Sequence, residues 1–429
     1  MFAQRLSRLL ARHGVHYGWV VAAVTFVTAL TTAGAVGLPG ALILPLGTEF
    51  GWDTAEISSA LALRFVLFGA MAPLAAALIE RYGVRPVITT AIAFILAGLC
   101  GALAMDQVWQ FVLAWGVVVG LGTGMTALVF AAIVANRWFT ARRGLVLGLL
   151  TASSATGQLV FLPLAASLAQ HVGWRFALLP SAGALLLAAL LVLLFMRDRP
   201  SDLGLAPFGE TAIALPPART RGAIGRAFGV LREAAASPVF WVLAATFFIC
   251  GLSTAGLIQT HFIAFCADYG LPPVAGATVL AAMGVFDIFG TIGSGWLSDR
   301  FDARKLLFWY YGLRGLSLLY LPSSSFDFYG LSIFAMFYGL DWIATLPPTI
   351  RIIGTRFGRD RAGIVFGWVF AAHQVGSATA ALGAGLSRSL LDTYLPAFYL
   401  AGAACLVASL LMLLVRADRR PAVAAAPAA

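Results

Sequence analysis

The chain has 429 residues, of which 61% are hydrophobic and only 11% charged, against about 25% charged in soluble domains. That composition excludes an ordinary water-facing globule, and the net charge of +10 is spread over short loops instead of forming a nucleic-acid-binding patch. The apolar runs reach about 20 residues, enough for a helix to cross hydrocarbon, and lack the in–out alternation of barrel strands, so an all-α polytopic membrane protein is expected.

In chain order, MFAQRLSRLLARHG is basic and partly apolar and has no small-residue cleavage site. It reads as an amphipathic arm on the inner surface, not as a removed signal peptide. Six spans follow at 17–46, 55–79, 87–105, 109–134, 144–168 and 174–196. Six more lie at 238–265, 274–297, 305–322, 328–352, 363–386 and 395–415. Asp53-Thr54-Ala55-Glu56 predicts a capping box opening the second span. Between the two sets, Pro200, Pro207, Pro216 and Pro217 predict a loop. Ile224, Phe228 and Leu231 then recur at helical spacing opposite Arg226 and Arg232, which predicts a short helix on the membrane surface. The expected domains are 1–196 and 238–420, six helices each, joined by a cytoplasmic connector 197–237 and followed by a disordered tail 421–429. Cys100, Cys250, Cys266 and Cys405 have no ligand spacing and read as packing residues.

With the N-terminus inside, Lys and Arg fall on the inner side except Arg175 and Arg388 in outer loops and Arg64 and Arg314 within spans. This positive-inside bias places both termini in the cytoplasm, in a cell (inner) membrane.

The two sets of spans are copies of one unit. Adding 219 carries Asn136–Gln158 onto Thr355–Ser377, with Arg137 on Arg356, Arg142 on Arg361, and Gly144, Gly148 and Gly157 on Gly363, Gly367 and Gly376. The same gap-free offset carries Glu80-Arg81 onto Asp299-Arg300, Arg85 onto Arg304, Gly37 onto Gly256 and Gly120 onto Gly339.

Twelve spans in two such copies resemble the major facilitator superfamily. Leu78-Ile79-Glu80-Arg81-Tyr82-Gly83-Val84-Arg85 and Leu297-Ser298-Asp299-Arg300-Phe301-Asp302-Ala303-Arg304 are similar to its acid–Arg–x–Gly–x–basic loop, although Asp302 stands in for Gly. Trp138-Phe139-Thr140-Ala141-Arg142-Arg143-Gly144-Leu145-Val146-Leu147-Gly148 resembles the fifth-helix signature of monocarboxylate transporters and oxalate/formate-antiporter-like proteins. Tyr17-Gly18-Trp19 resembles their first-helix motif, with His16 where an acid is usual. The resemblance implies a two-bundle fold, an organic-anion substrate and a proton-coupling role for Asp287. It also marks departures, because Gly40 and Thr291 stand where those transporters carry a Lys and an Arg that bind substrate. The fifth-helix motif of drug/proton antiporters is missing.

A charge at bilayer depth costs at least about 2.5–3.5 kcal/mol and marks a functional site with a partner. Arg64 is the one deep charge of the first copy, and a guanidinium grips a carboxylate bidentately; the competing reading is snorkelling to the outer interface. Asp287, Arg314 and Asp341 lie near the middles of the eighth, ninth and tenth spans. Arg314 reads as the structural partner of Asp341 or Asp287, with Asp341 also a candidate substrate ligand. His373 and Gln374, mid-span in the eleventh, are candidate substrate ligands or packing residues, and His261, near the outer end of the seventh where it could reach water, weighs less. Glu80, Arg81, Arg85, Arg137, Arg142, Asp299, Arg300 and Arg304 are candidate gating charges or plain topology anchors.

No Ser/His/Asp order, metal-ligand spacing or phosphate-binding glycine loop is present, so neither an enzyme nor a cofactor is expected. The reading favoured is a secondary transporter of small organic anions, coupled to protons or exchanging, by alternating access and as a monomer. The alternatives are a transporter or efflux pump of neutral or lipophilic compounds, and a receptor with a transporter fold.

Overall fold

The computed structural model describes residues 2–126, 128–213 and 223–415. Pro216, Pro217 and the tail after Arg420 lie outside them. Eleven helices are long and apolar enough to cross a membrane. The ninth span, Ala303–Tyr320, is an 18-residue helix kept from that count by Arg304, Lys305 and Arg314. With it the described residues hold twelve spans in two six-helix bundles. On the sixth span, Leu185, Ala188 and Val192 are buried while Leu186, Leu190 and Leu193 are exposed. That apolar outer face is a surface for lipid.

The repeat is visible in the packing. A Cβ on Gly120 would lie 3.1 Å from the Cα of Arg64, and one on Gly339 would lie 2.9 Å from the Cα of Met283. Arg64 and Met283 are themselves related by the offset of 219, so the same close crossing joins the second to the fourth span and the eighth to the tenth.

Interruptions fall at matching places too. The first span is broken between Gly18–Gly37 and Pro39–Phe50, and the seventh passes through a π-helical turn, Leu252–Ile258. The fourth span stops at Met125 and resumes by Leu128, and the tenth runs Phe328–Asp341 and then Leu346–Phe357. Paired, interrupted helices near the midplane are where transporters of this build place a binding site, because free backbone groups are tolerated only where they line a cavity.

At the face where the described residues begin and end, the first-helix and fifth-helix motifs meet. Tyr17 lies 6.0 Å from Trp138, and Trp19 lies 5.1 Å from Phe139. The first part of the connector closes this cluster: Phe208 N donates to the Trp138 carbonyl at 2.8 Å, and His16 Nε2 donates to the Ala206 carbonyl at 3.0 Å. The connector helix, Ala223–Ala235, is not simply laid on the membrane surface as its periodicity predicts. Val230 and Ala234 are buried in the core of the second bundle. Trp368 Nε1 donates to the Ala227 carbonyl at 3.0 Å, and Glu233 pairs with Arg361. Amphipathicity demands an apolar cover, and here protein supplies part of it. As predicted, Glu56 accepts from the Asp53 N–H at 2.9 Å and opens the second span, Thr54–Tyr82.

Candidate functional site

A cavity of about 240 Å³ lies between the bundles. It is smaller than the roughly 300–1,000 Å³ of sites for drug-sized ligands, which suits a small solute. The interrupted helices supply much of its wall: Thr126 from the fourth span, Thr254 from the seventh, and Trp342, Ile343 and Thr345 from the tenth. Thr126 and Thr345 are repeat mates, each at the break of its span. The aromatic part of the wall includes Phe68 of the second span and Phe370 of the eleventh, which meet across the bundle boundary at 5.9 Å.

Arg64 lines this cavity and is only 3% exposed. Its Nη1 donates to the Val36 carbonyl at 2.6 Å, in the last turn before the break of the first span. The guanidinium carbon lies 4.4 Å from the centroid of the Phe65 ring. Among the described residues no carboxylate forms an ion pair with Arg64. A guanidinium has five donors; one is taken by the carbonyl, and the charge is left uncompensated inside the protein. The side chain is held on the cavity instead of snorkelling outward.

Arg314 has a different environment. It is fully buried, and its Nε donates to Asp341 Oδ2 at 2.7 Å. Nη2 donates to the carbonyls of Asp341 and Trp342 at 2.5 and 3.1 Å. These carbonyls belong to the break of the tenth span, where Pro347 and Pro348 have no N–H to offer. Ser294 caps the Ala344 carbonyl at 2.5 Å, and Asp287 Oδ1 accepts from the Ile343 N–H at 2.9 Å. The ninth span therefore supplies the guanidinium, and the eighth the hydroxyl and carboxylate, that satisfy an opened helix. Asp341 faces Arg314 and is not part of the cavity wall. Asp287 is 4% exposed, and among the described residues no cation forms an ion pair with its carboxylate; its second hydrogen bond, 3.0 Å, comes from Thr291, the residue that replaces the transporters' Arg.

His373 and Gln374 both line the cavity. His373 stacks on Phe370 at 5.6 Å and 11°, and Gln374 Nε2 lies 3.4 Å from His373 Nδ1. His261, expected to reach water, is instead fully buried, with Nε2 donating to the Ala381 carbonyl at 2.8 Å. The eleventh span packs over it. Cys250, read from sequence as packing, also lines the cavity and accepts from Arg314 Nη1 at 2.9 Å. It lies two residues before the π-helical segment Leu252–Ile258 of the seventh span.

Gly40 explains itself through packing. A Cβ there would lie 2.6 Å from the Gln259 carbonyl oxygen, so the missing side chain lets the first and seventh spans close on the face away from the termini. Gly40→Leu is therefore expected to hold that face open. Cysteine pairs placed across the first and seventh spans there should cross-link markedly less in the variant; an unchanged yield would contradict this role.

The loop charges are mostly at the terminal face. Glu80, Arg81, Arg85, Arg142, Asp299 and Arg300 are exposed. Arg81 lies 5.1 Å from the Tyr82 ring and Arg300 3.8 Å from the Trp296 ring. Arg137 is half-buried within reach of the charges of Glu80, Asp198 and Asp202. The Arg85 backbone N–H donates to Asp198 at 3.1 Å, and Arg142 opens the fifth span at φ 58°. Arg304 is held bidentately by Asp302 and donates to the Val415 carbonyl at 2.5 Å. The hydrogen bonds from Arg304 keep the Asp302 carboxyl below its ordinary range. The substitution of Asp302 for glycine thus ties the start of the ninth span to the end of the twelfth.

Residues 24–381 match the family described as the Major Facilitator Superfamily. An uncharacterized MFS-type transporter, YcxA, of Bacillus subtilis (strain 168) is 26% identical over 387 residues, 88% of this chain and 90% of that protein. Monocarboxylate transporter 4 of Mus musculus is 27% identical over 411 residues, 93% of this chain and 83% of that protein. Among solved structures, a partially occluded inward-open conformation of the xylose transporter XylE from E. coli superposes with a TM-score of 0.70 at 13% identity, covering 94% of this chain and 98% of that one.

Proposed function

The chain belongs to the Major Facilitator Superfamily, and on that premise we propose that it is a secondary active transporter of small carboxylates. The carrying observation is Arg64: an uncompensated guanidinium at a cavity between two bundles calls for an anion that comes and goes. Similarity to monocarboxylate transporters over most of the chain supports the same class. A neutral substrate would leave that charge unanswered.

In this reading, units 1–196 and 238–420 rock about the cavity, joined by 197–237. The face with the termini is cytoplasmic, because the Lys and Arg loops lie there. Glu80, Arg81, Arg85, Arg137, Arg142, Asp299, Arg300 and Arg304 set the balance between the two arrangements, and one copy of the chain suffices. Arg64 grips the carboxylate, with His373 and Gln374 on the opposite bundle. Asp341 acts through Arg314, holding the broken tenth span that forms part of the wall.

Asp287 carries the proton. It is buried with no cation, and its Oδ1 holds the backbone of the same break, so gain or loss of a proton alters a hydrogen bond that shapes the cavity. Uptake into proteoliposomes across a panel of mono- and dicarboxylates, with and without a pH gradient, tests the proposal. Wild-type protein should accumulate a monocarboxylate when the gradient is imposed. Asp287→Asn should lose that accumulation and keep exchange of substrate, since the amide oxygen still accepts from Ile343. Gradient-driven accumulation by Asp287→Asn would remove Asp287 from the coupling.

A further inference from the structure

Gln374 is 4% exposed and lines the cavity, yet its Oε1 is buried with no hydrogen-bond partner among the described residues. A buried amide atom without a partner carries a desolvation penalty. Its own neighbour does not relieve this, because the 3.4 Å contact to His373 Nδ1 engages the other end of the amide. Turning the amide over only exchanges an unpaired acceptor for an unpaired donor. A hydroxyl on the ligand, both donor and acceptor, satisfies either arrangement.

The position of this group relative to Arg64 is fixed by packing. The Cβ of Gln374 would lie 2.8 Å from a Cβ on Gly69, five residues along the second span from Arg64. At 1.5 Å per residue the two levels are about 7.5 Å apart along the helix. Side chains lean toward the start of their helix. The second and eleventh spans run in opposite directions, so the polar ends of Arg64 and Gln374 diverge further. Phe65 and Phe68 lie on the second span between the levels of Arg64 and Gly69, and Phe370, one turn before Gln374, meets Phe68 at 5.9 Å; aromatic rings favour an aromatic or broad apolar body there.

We propose that Gln374 is a specificity-determining residue that selects, among small carboxylates, those with an aromatic body and a hydroxyl at the end away from the carboxylate. The proposal rests on the carboxylate reading of Arg64. A site built to hydrogen-bond a hydroxyl discriminates against the analogue that lacks it.

Binding of benzoate, 4-hydroxybenzoate and 2-hydroxybenzoate to purified full-length protein tests it. Wild type should prefer 4-hydroxybenzoate to benzoate by about tenfold, the worth of one neutral hydrogen bond, and should give 2-hydroxybenzoate no such advantage. Gln374→Leu and Gln374→Met keep the packing on Gly69 and should bring the ratio near one. Arg64→Ala should weaken both acids and leave their ratio. A preference unchanged in both Gln374 variants, or absent in wild type that binds benzoate through Arg64, overturns the assignment of Gln374 alone. Failure of all three acids to bind, in protein that binds another monocarboxylate through Arg64, overturns this inference and leaves the carboxylate reading; loss of every carboxylate overturns both.

Discussion

Arg314→Ala is expected to cost about 3–5 kcal/mol of stability, the usual penalty for removing one partner of a buried ion pair. The loss has two sources. Asp341 is left as a buried carboxylate without its cation, and its Oδ1 already has no partner. The carbonyls of Asp341 and Trp342, opened by the break before Pro347, also lose their shared donor. Arg314→Lys keeps the charge but not the planar fork and should recover only part of the loss. Arg314→Met combined with Asp341→Leu removes both charges and should fall between alanine and wild type, because the carbonyls stay uncapped. Thermal melting of detergent-solubilised protein reads these differences. A wild-type melting temperature for Arg314→Ala would mean that the break is satisfied by other groups.

Arg64→Ala should behave in the opposite way. Its charge has no carboxylate to leave behind, and the Val36 carbonyl that loses its donor lines the cavity, so truncation removes a desolvation cost that offsets the lost hydrogen bond and the ligand-free protein should melt no lower than wild type. Binding is where the loss appears. Truncating one partner of a hydrogen-bonded charge pair costs about 2–5 kcal/mol, so carboxylate affinity should fall about thirtyfold or more. Arg64→Lys should keep weak binding, since the charge remains while the bidentate geometry is lost. Equal affinity in Arg64→Ala, measured by isothermal titration, would remove the anchor. The two arginines are equally buried in the sequence's own terms, and only their partners separate a structural charge from a binding one.

That difference marks how far the sequence could be read. The bundles, the repeat and the spans were legible, because a gap-free offset and runs of apolar residues leave few alternatives. The ninth span was legible by its place in the repeat, although Arg304, Lys305 and Arg314 lower its apolar content. Arg314's partner was not. Asp287 and Asp341 lie at similar depth, and depth alone does not tell which helix face a side chain takes.

The break of the tenth span had a signal in Pro347-Pro348 but was read through as one helix, since membrane helices often carry prolines when neighbours satisfy the freed groups. Here the neighbours are Arg314, Ser294 and Asp287, and that explains three polar residues at once. Cys250 was passed over because a lone thiol packs like an apolar residue. The connector helix misled because periodicity shows that a face needs cover, not what covers it, and His261 because a place near the end of a span does not show which neighbour packs over it. The Tyr17-Gly18-Trp19 and Trp138-Phe139 motifs were found separately, and only the fold brings them to one cluster under Phe208.

A cavity that takes a carboxylate on Arg64 must tell charge from shape. Counterflow in proteoliposomes, with benzoate and the uncharged benzamide as competitors of similar shape, tests it most directly. Benzoate should compete with labelled carboxylate, benzamide should not, and Arg64→Ala should abolish the difference. Equal competition by the amide, or full carboxylate exchange in a well-folded Arg64→Ala protein, would contradict it.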